Sequence, residues 1–335
     1  PSVFWCIYYH ETLDLISFVK SISITFSCGL LLYLSTYINV KKHYKDLTSK
    51  DGFTVVTVGW LTMAIFSALP YYLSTAYDLS FVDSFFESMS GLTTTGATIL
   101  GHSLMIESLS HGLLFWRCFT QFIGGMGIIV FSIAILPLLG IGGVQLFKAE
   151  VAGPVADKMT PRIKQTAKLL WGIYVGLVFL LSIILYLEGM TFFDSLCHSF
   201  TTIATAGFST HTDSIAYFNS PIIEWTIIFF MLIAATNFTL HYMFISKGKF
   251  EFFKNEEFKI YFYSFFLIAL IIFINVNYHN IYEWSISSLR HSMFTTATLL
   301  TTTGFVTENF ELWPNLSVMI IFVLFFIGGT SGSTT

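Results

Sequence analysis

Long uncharged apolar stretches dominate the chain and predict helices that cross a membrane. A helix needs about 20 largely apolar residues to span the hydrocarbon core of a bilayer. Seven stretches of suitable length occur, at residues 21–40, 53–72, 120–147, 169–187, 225–246, 260–282 and 312–335. The third stretch, residues 120–147, is the longest and contains Pro137 and the glycines Gly140, Gly142 and Gly143, where a helix can break.

Between the long stretches lie shorter segments that are half apolar and end in clusters of threonine and glycine. They occupy residues 80–98, 191–210 and 286–307, and their central glycines are Gly96, Gly207 and Gly304, at intervals of 111 and 97 residues. Similar segments at a long period indicate an internal repeat. Each holds a helical stretch of about 10–14 residues, which is too short to cross a bilayer, so we predict re-entrant half-helices.

The half-helices have a predicted direction. Asp83 and Asp194 fall in the first turn of the first and second half-helices, where a carboxylate interacts favourably with the positive end of the helix dipole. The negative end then points toward the membrane centre, where it would stabilise a cation. The Thr/Gly loop that follows would expose backbone carbonyls at membrane depth, which survive only when they are buried in protein or line a water-filled path.

The residues beside the three glycines are suited to an alkali-cation filter. Small residues and a permissive glycine let the chain extend with its carbonyls toward one axis, where they can replace the hydration shell of an ion. No carboxylate lies inside these triplets, which argues against a site for divalent cations. Thr, Ser and Gly also serve helix packing in membranes, but three clusters at matching places favour the filter interpretation.

Composition and charge agree with a membrane protein. Hydrophobic residues make up 54% of the chain, charged residues make up 11%, and the net charge of −4 implies no nucleic-acid partner. Of the 16 Lys and Arg residues, 13 lie in residues 41–50, 148–168 and 247–259, which the positive-inside rule places in the cytoplasm. The segments with the Thr/Gly clusters then start and end on the outer side.

Several other residues have two interpretations. His198 and His291, at equivalent places in two half-helices, are packing residues with hydrogen bonds, or else metal ligands or proton carriers. Arg117 is interpreted as a snorkelling or ion-paired structural residue. The basic stretch 148–168 contacts lipid headgroups or a cytoplasmic regulator. The scattered cysteines Cys6, Cys28, Cys118 and Cys197 indicate ordinary core thiols rather than disulfides or a metal site.

The end of the chain is rich in glycine, serine and threonine. Residues 328–335 read GGTSGSTT and would end the preceding helix. Flexible backbone there, beneath the filter, is a possible gate, and a disordered segment is the alternative. Sequence at both ends is expected to be missing, since Pro1 is not a start methionine and the last apolar stretch lacks a closing basic loop. No enzyme motif such as H-E-x-x-H or G-x-S-x-G is present, so catalysis is not predicted.

Motifs throughout the chain resemble one family. They are FFES at 85–88, SGLTTTGAT at 90–98, GGMGII at 124–129, AILP at 134–137, GIGGVQL at 140–146, HSF at 198–200, GFSTH at 207–211, TTGF at 302–305, WP at 313–314 and GGTSGS at 328–333. With these residues the sequence resembles the Trk/Ktr/HKT superfamily of potassium transporters.

The resemblance implies an all-α polytopic membrane protein built from repeated units of helix, pore helix, filter loop and helix, as in potassium channels. Three of an expected four units are present. Residues 1–50 would be the remnant of an N-terminal helical hairpin, and residues 51–150 and 151–250 the first and second units. Residues 251–335 would be the third unit, cut short in its last helix.

The resemblance also implies the site and its partners. Potassium, the transported ion and the only metal expected, would bind at Thr94, Thr95, Gly96, Thr205, Ala206, Gly207, Thr302, Thr303 and Gly304. Ala206 departs from the glycine of many relatives, but its carbonyl remains. The gating loop would comprise Gly328, Gly329, Thr330, Ser331, Gly332 and Ser333. The protein would be a homodimer in the cytoplasmic (inner) membrane, in contact with lipid and with a peripheral, nucleotide-binding regulatory subunit of the TrkA type.

Potassium uptake, either down its electrochemical gradient or by symport, is therefore the leading hypothesis. The alternative within the same architecture is sodium or sodium-coupled potassium transport. The resemblance implies that Gly96 in the first loop favours potassium over this alternative. A carrier with inverted repeats would place the basic loops of successive units on opposite sides, whereas here they fall on one side. An enzyme or a structural membrane protein is the most distant alternative.

Overall fold

The computed structural model describes residues 1–40, 49–101, 104–139, 159–248 and 250–335, and within these ranges helices are the only regular secondary structure. The described residues form twelve α-helices and no strand. The all-α fold expected from the sequence is therefore confirmed. The basic segments 41–48 and 140–158, with Gly140, Gly142 and Gly143, lie outside the described residues.

The helices follow the chain in an order that repeats. They are α1 Ser2–Tyr8, α2 Thr12–Val40, α3 Ser49–Tyr72, α4 Phe81–Leu92, α5 His111–Leu139, α6 Met159–Leu187, α7 Phe192–Ile203, α8 Pro221–Ala234, α9 Phe238–Lys247, α10 Glu256–Tyr278, α11 Ile286–Leu300 and α12 Asn315–Leu324. Short 3₁₀ turns at Ile106–Ser108, Ser214–Phe218, Phe252–Lys254 and Phe310–Leu312 lie between them.

The predicted half-helices are present. With 12, 12 and 15 residues, α4, α7 and α11 have lengths of about 18 to 22 Å, well short of the roughly 30 Å of a hydrocarbon core. Asp83 and Asp194 lie in the first turns of α4 and α7, as expected. Each of these helices follows a long apolar helix against which it packs: α3, α6 and α10 respectively.

Among the residues that the structure describes, four helical segments are long and apolar enough to cross a membrane: Thr12–Tyr37, Thr54–Tyr72, Ala167–Leu187 and Glu256–Tyr278. Large apolar side chains on their surfaces are exposed, among them Phe26, Phe179 and Leu267. A soluble protein rarely leaves such continuous apolar faces open to water. These faces are suited to contact with lipid.

Three predicted spans differ from the structure. The stretch 225–246 is not one helix, because α8 and α9 meet at a bend of 96° around residues 235–237. In the last stretch the helix α12 ends at Leu324, earlier than predicted. The helix α5 begins at His111 and continues through Pro137, where we expected a possible break.

Contacts divide the chain into two units. The first consists of residues Pro1–Leu92 and Ala97–Thr120, and the second of Thr93–Gly96 and Gln121–Thr335. The three Thr/Gly loops that follow the half-helices all belong to the second unit. Their mutual contacts are therefore described within one compact body.

In the first unit, polar side chains hold the N-terminal helices to the rest. Glu11 accepts hydrogen bonds from the backbone nitrogens of His111 and Gly112 at 2.7 and 3.1 Å, which caps the start of α5. Ser74 donates to the buried carboxylate of Asp14 at 2.6 Å. Burial, with the carboxylates of Glu11 and Asp14, raises the pKa of the Cys6 thiol to about 12.

Candidate functional site

Each Thr/Gly loop directly follows the C-terminal end of a half-helix. The loops, here called filter loops 1, 2 and 3, are residues 94–96, 205–207 and 302–304, and the preceding helices end at Leu92, Ile203 and Leu300. The carboxyl end of a helix carries a partial negative charge. Three such ends therefore lead into the three loops, and each favours a bound cation.

The backbone of the three filter loops has the same unusual conformation. A residue with positive φ, one with negative φ and a glycine with positive φ follow one another in every loop. The positive values are +56° at Thr94, +50° at Thr205 and +55° at Thr302, followed by +72° at Gly96, +78° at Gly207 and +85° at Gly304.

A positive φ at threonine is rare because the branched side chain crowds the backbone. Each such residue costs about 1–3 kcal/mol, and strain of this kind persists where function requires it. Alternation of positive and negative φ can turn successive carbonyls toward the same side of the chain, whereas a regular strand points them alternately to opposite sides. The loops thus have the backbone of a carbonyl-lined filter.

The loops contact one another through their glycines. The α-carbon of Gly96 lies against the carbonyl of Ala206, and that of Gly207 lies against the carbonyl of Thr303. A Cβ atom on either glycine would overlap the facing carbonyl oxygen, and at Gly207 it would lie 2.9 Å from the carbonyl carbon of Thr303. Loops 1, 2 and 3 are therefore consecutive neighbours, each glycine facing the residue before the next glycine.

The solvent exposure of the loop residues agrees with this arrangement, in which loop 2 lies between loops 1 and 3. In loop 2, Thr205 and Ala206 are buried, whereas Thr95 in loop 1 and Thr302 in loop 3 are exposed. Among the described residues, nothing lies within 4 Å of the position a Cβ atom would take on Gly304. Loop 2 is thus the inner member of the series, and loop 3 has an open side.

Threonine hydroxyls in the loops donate to backbone carbonyls. The hydroxyls of Thr94 and Thr205 each donate to the carbonyl of the preceding residue at 2.7 Å. A hydroxyl oxygen that has donated its proton still has lone pairs to offer. These oxygens can therefore add to coordination by the carbonyls.

The predicted gating segment, Gly328–Ser333, is not helical and is attached to the bend between α8 and α9. The backbone nitrogen of Thr330 donates to the carbonyl of Ala235 at 2.9 Å, and Phe238 donates to the carbonyl of Gly332 at 3.0 Å. Just beyond the segment, the hydroxyl oxygen of Thr334 lies 3.3 Å from the hydroxyl oxygen of Thr205 in filter loop 2. The segment thus lies next to the filter and is held by hydrogen bonds.

Comparison with known proteins assigns the chain to a family. Residues 17–335 match the family described as TrkH, cation transport protein. The chain belongs to the TrkH family. The resemblance seen in the motifs is therefore confirmed, and the chain is a member of a family of transport proteins rather than of enzymes.

Individual TrkH proteins are similar to the chain in sequence and in structure. The chain is 40% identical to the Trk system potassium uptake protein TrkH of Vibrio parahaemolyticus and 39% identical to that of Escherichia coli K12, in each case over 95% of this chain and 65% of the relative. The crystal structure of the potassium transporter TrkH from V. parahaemolyticus superposes with a TM-score of 0.88 at 36% identity, over 99% of this chain and 67% of that one. The chain thus spans about two-thirds of the length of these TrkH proteins.

The structure places the other candidate residues of this TrkH-family chain in hydrogen-bond networks. His198 is fully buried, and its ring nitrogens lie 2.8 Å from the carbonyl of Asp194 and 3.0 Å from the hydroxyl of Ser209, as expected of a packing histidine. Arg117 is 1% exposed and forms an ion pair with Glu87 at 2.8 Å. The ion-paired interpretation of Arg117 is therefore confirmed, and snorkelling is wrong because its side chain is buried.

One residue at the filter was missed in the sequence. Gln121, fully buried in α5, donates through Nε2 to the carbonyl of Ala206 at 2.9 Å and accepts through Oε1 from the backbone nitrogen of Phe208 at 3.1 Å. Its amide thus bridges the two residues on either side of Gly207. A buried polar residue in a largely apolar membrane helix is a signal of function, and this signal could have identified Gln121.

Proposed function

We propose that the chain forms a pathway for potassium uptake across the cytoplasmic (inner) membrane. The observation that carries this proposal is the alternating backbone of the three filter loops, with a left-handed threonine at the same place in each. Carbonyl oxygens replace the hydration shell of a potassium ion in filters of this kind. The ions would bind at residues 94–96, 205–207 and 302–304.

The chemistry of the loops favours a monovalent cation. Their ligands are neutral carbonyls and hydroxyls, whereas protein sites for calcium normally include carboxylates. The C-terminal ends of α4, α7 and α11 supply partial negative charge. The V. parahaemolyticus and E. coli relatives are named potassium uptake proteins, which favours potassium over sodium.

The open side of loop 3 would be closed by a fourth filter loop. Gly304 has free space where Gly96 and Gly207 each face the carbonyl of a neighbouring loop. A fourth unit of the same kind, as the family resemblance implies, would place a carbonyl against Gly304 and complete the ring. Residues 51–150, 151–250 and 251–335 would then be three units of a four-unit pore, after the hairpin remnant at residues 1–50.

Gating and partners complete the proposal. Gly328–Ser333 would open and close the path below the filter, since its neighbour Thr334 contacts Thr205. A peripheral, nucleotide-binding subunit of the TrkA type would control it from the cytoplasm, and two copies of the protein would pair within the lipid bilayer. Transport by symport or by simple flow down the gradient would use the same loops.

The test is growth at low potassium. A bacterial strain that lacks its own potassium uptake systems would receive the complete gene, and potassium entry would be followed with and without excess sodium. We expect rescue of growth and potassium uptake that sodium does not block. Absence of rescue, with the protein present in the membrane, would contradict the proposal, and uptake that requires or prefers sodium would favour the sodium alternative.

A further inference from the structure

A buried carboxylate links α7, the half-helix of the second repeat, to the chain that follows filter loop 2. Asp194, in the first turn of α7, accepts a hydrogen bond from the hydroxyl of Thr210 at 2.6 Å. Thr210 is 2% exposed and lies three residues after Gly207, which is about 10 Å of extended chain. The loop is thus held at its far end close to the filter glycine.

A second connection runs beside the first. His198, one turn further along α7, lies 3.0 Å from the hydroxyl of Ser209, and that hydroxyl accepts a hydrogen bond from the backbone nitrogen of His211 at 3.0 Å. The imidazole of His211 lies 3.4 Å from the carboxylate of Asp194. Residues 209–211, which leave the filter, are therefore fixed to α7 at consecutive positions.

In the first repeat a carboxylate makes the corresponding connection, but it comes from Glu87, one turn beyond the first-turn Asp83 and thus at the place of His198 rather than of Asp194. Glu87 in α4 accepts hydrogen bonds from the hydroxyl of Thr98 at 2.8 Å and from the backbone nitrogen of Ile99 at 3.3 Å. Thr98 lies two residues after Gly96. Arg117 binds the same carboxylate at 2.8 Å and the same threonine hydroxyl at 3.2 Å.

In the third repeat the carboxylate and the group that it contacts exchange places between the half-helix and the outgoing chain. The carboxylate is on the outgoing chain, at Glu308, four residues after Gly304. It lies 3.5 Å from the ring of His291 in α11 and accepts a hydrogen bond from the hydroxyl of Tyr282 at 3.1 Å. In all three repeats, one carboxylate thus connects the half-helix to the part of the chain that lies two to four residues after the filter glycine.

We propose that Asp194, Glu87 and Glu308 are positioning residues that set the selectivity of the filter by fixing the outgoing end of each loop. This inference rests on the proposed transport function. The incoming end of each loop is fixed by the half-helix, so the second attachment leaves the strained carbonyls of the loop little freedom to move. A cage that cannot contract disfavours the smaller sodium ion.

A purely structural role for Asp194 is the competing explanation. Its carboxylate also accepts from the hydroxyl of Thr191, the N-cap of α7, at 2.6 Å, and this contact stabilises the start of the helix. A cap contributes to folding but has no connection with ion choice. Thr210 separates the two roles, because its hydroxyl belongs to the connection with the outgoing chain and not to the cap.

The experiment measures ion selectivity in the full-length protein reconstituted in vesicles. Thr210→Val removes the hydroxyl at nearly constant volume, and Thr210→Ser retains it. Asp194→Asn removes the negative charge, and Asp213→Asn removes the same charge from an exposed residue of the same loop region. The readout is rubidium entry, its inhibition by sodium, and the amount of folded protein.

We expect Thr210→Val and Asp194→Asn to lower the preference for potassium or rubidium over sodium by about tenfold, the lower end of the range for one hydrogen bond to a charged group. Thr210→Ser and Asp213→Asn should keep the wild-type ratio. A wild-type ratio in folded Thr210→Val would overturn the inference and leave the proposed function standing, even if Asp194→Asn failed to fold. A wild-type protein without any preference would overturn both.

Discussion

A single methyl group at Gly207 should destroy the selectivity of the filter. Gly207→Ala places a Cβ on a residue with φ of +78°, which costs about 1–3 kcal/mol for a residue other than glycine. The same atom would overlap the carbonyl oxygen of Thr303 in the neighbouring loop. Relief of that overlap needs a displacement on the order of 1 Å, since non-bonded heavy atoms separate by about 3.5 Å.

The displaced group has little freedom to adjust. Thr303 is 1% exposed, and the backbone nitrogen of Gly304, which shares a planar peptide group with the Thr303 carbonyl, donates to the carbonyl of Thr298 at 3.2 Å, so the Thr303 carbonyl is fixed from behind. Functional groups generally need to be held within about 0.5 Å of their working positions. A shift of the expected size therefore exceeds the tolerance of a carbonyl filter.

The assay compares Gly207→Ala with Gly172→Ala in the full-length protein. Gly172 lies in the helix α6 and has no atom within 4 Å of its Cβ position, so alanine fits there without strain. We expect Gly172→Ala to retain the potassium-to-sodium flux ratio, and Gly207→Ala to lose potassium preference while still reaching the membrane. Equal, wild-type ratios in both variants would refute the reasoning.

Three further predictions concern other buried contacts. Gln121→Leu leaves the two backbone groups beside Gly207 unsatisfied, so it should cost about 1–3 kcal/mol per group and lower both the melting temperature and the selectivity; an unchanged melting temperature would contradict this. Arg117→Ala should destabilise the protein by about 3–5 kcal/mol because Glu87 stays buried without its cation, and the double variant Arg117→Met with Glu87→Gln should recover part of the loss in thermal unfolding. Because the pKa of Cys6 is raised to about 12, its alkylation by iodoacetamide should stay slow up to about pH 10, and rapid labelling of Cys6 itself in the folded protein at about pH 8.5 would oppose this.

The sequence was sufficient to predict the repeated elements. Apolar length located the membrane helices, and the short segments before the Thr/Gly clusters predicted α4, α7 and α11 as half-helices. The three glycines were identified from their neighbours and their spacing. These features depend on local composition and on repetition, both of which can be read along the chain.

Contacts between distant residues could not be predicted in the same way. The bend after α8 lies inside an uncharged run, and the freed carbonyl of Ala235 is satisfied by Thr330, which is 95 residues away. Asn237 caps the next helix by accepting from the nitrogen of Thr239 at 2.8 Å, but a single asparagine does not by itself predict a break. The partners of Gln121 and Asp194 are likewise set by the fold.

The central claim is that the three filter loops bind the transported ion together. The most direct measurement is the position of anomalous scattering from rubidium or thallium in crystals of the full-length protein. We predict density between residues 94–96, 205–207 and 302–304, and loss of that density in sodium alone. Ordered ions only outside these loops, or an empty filter at high rubidium, would show that the three loops do not form the ion site.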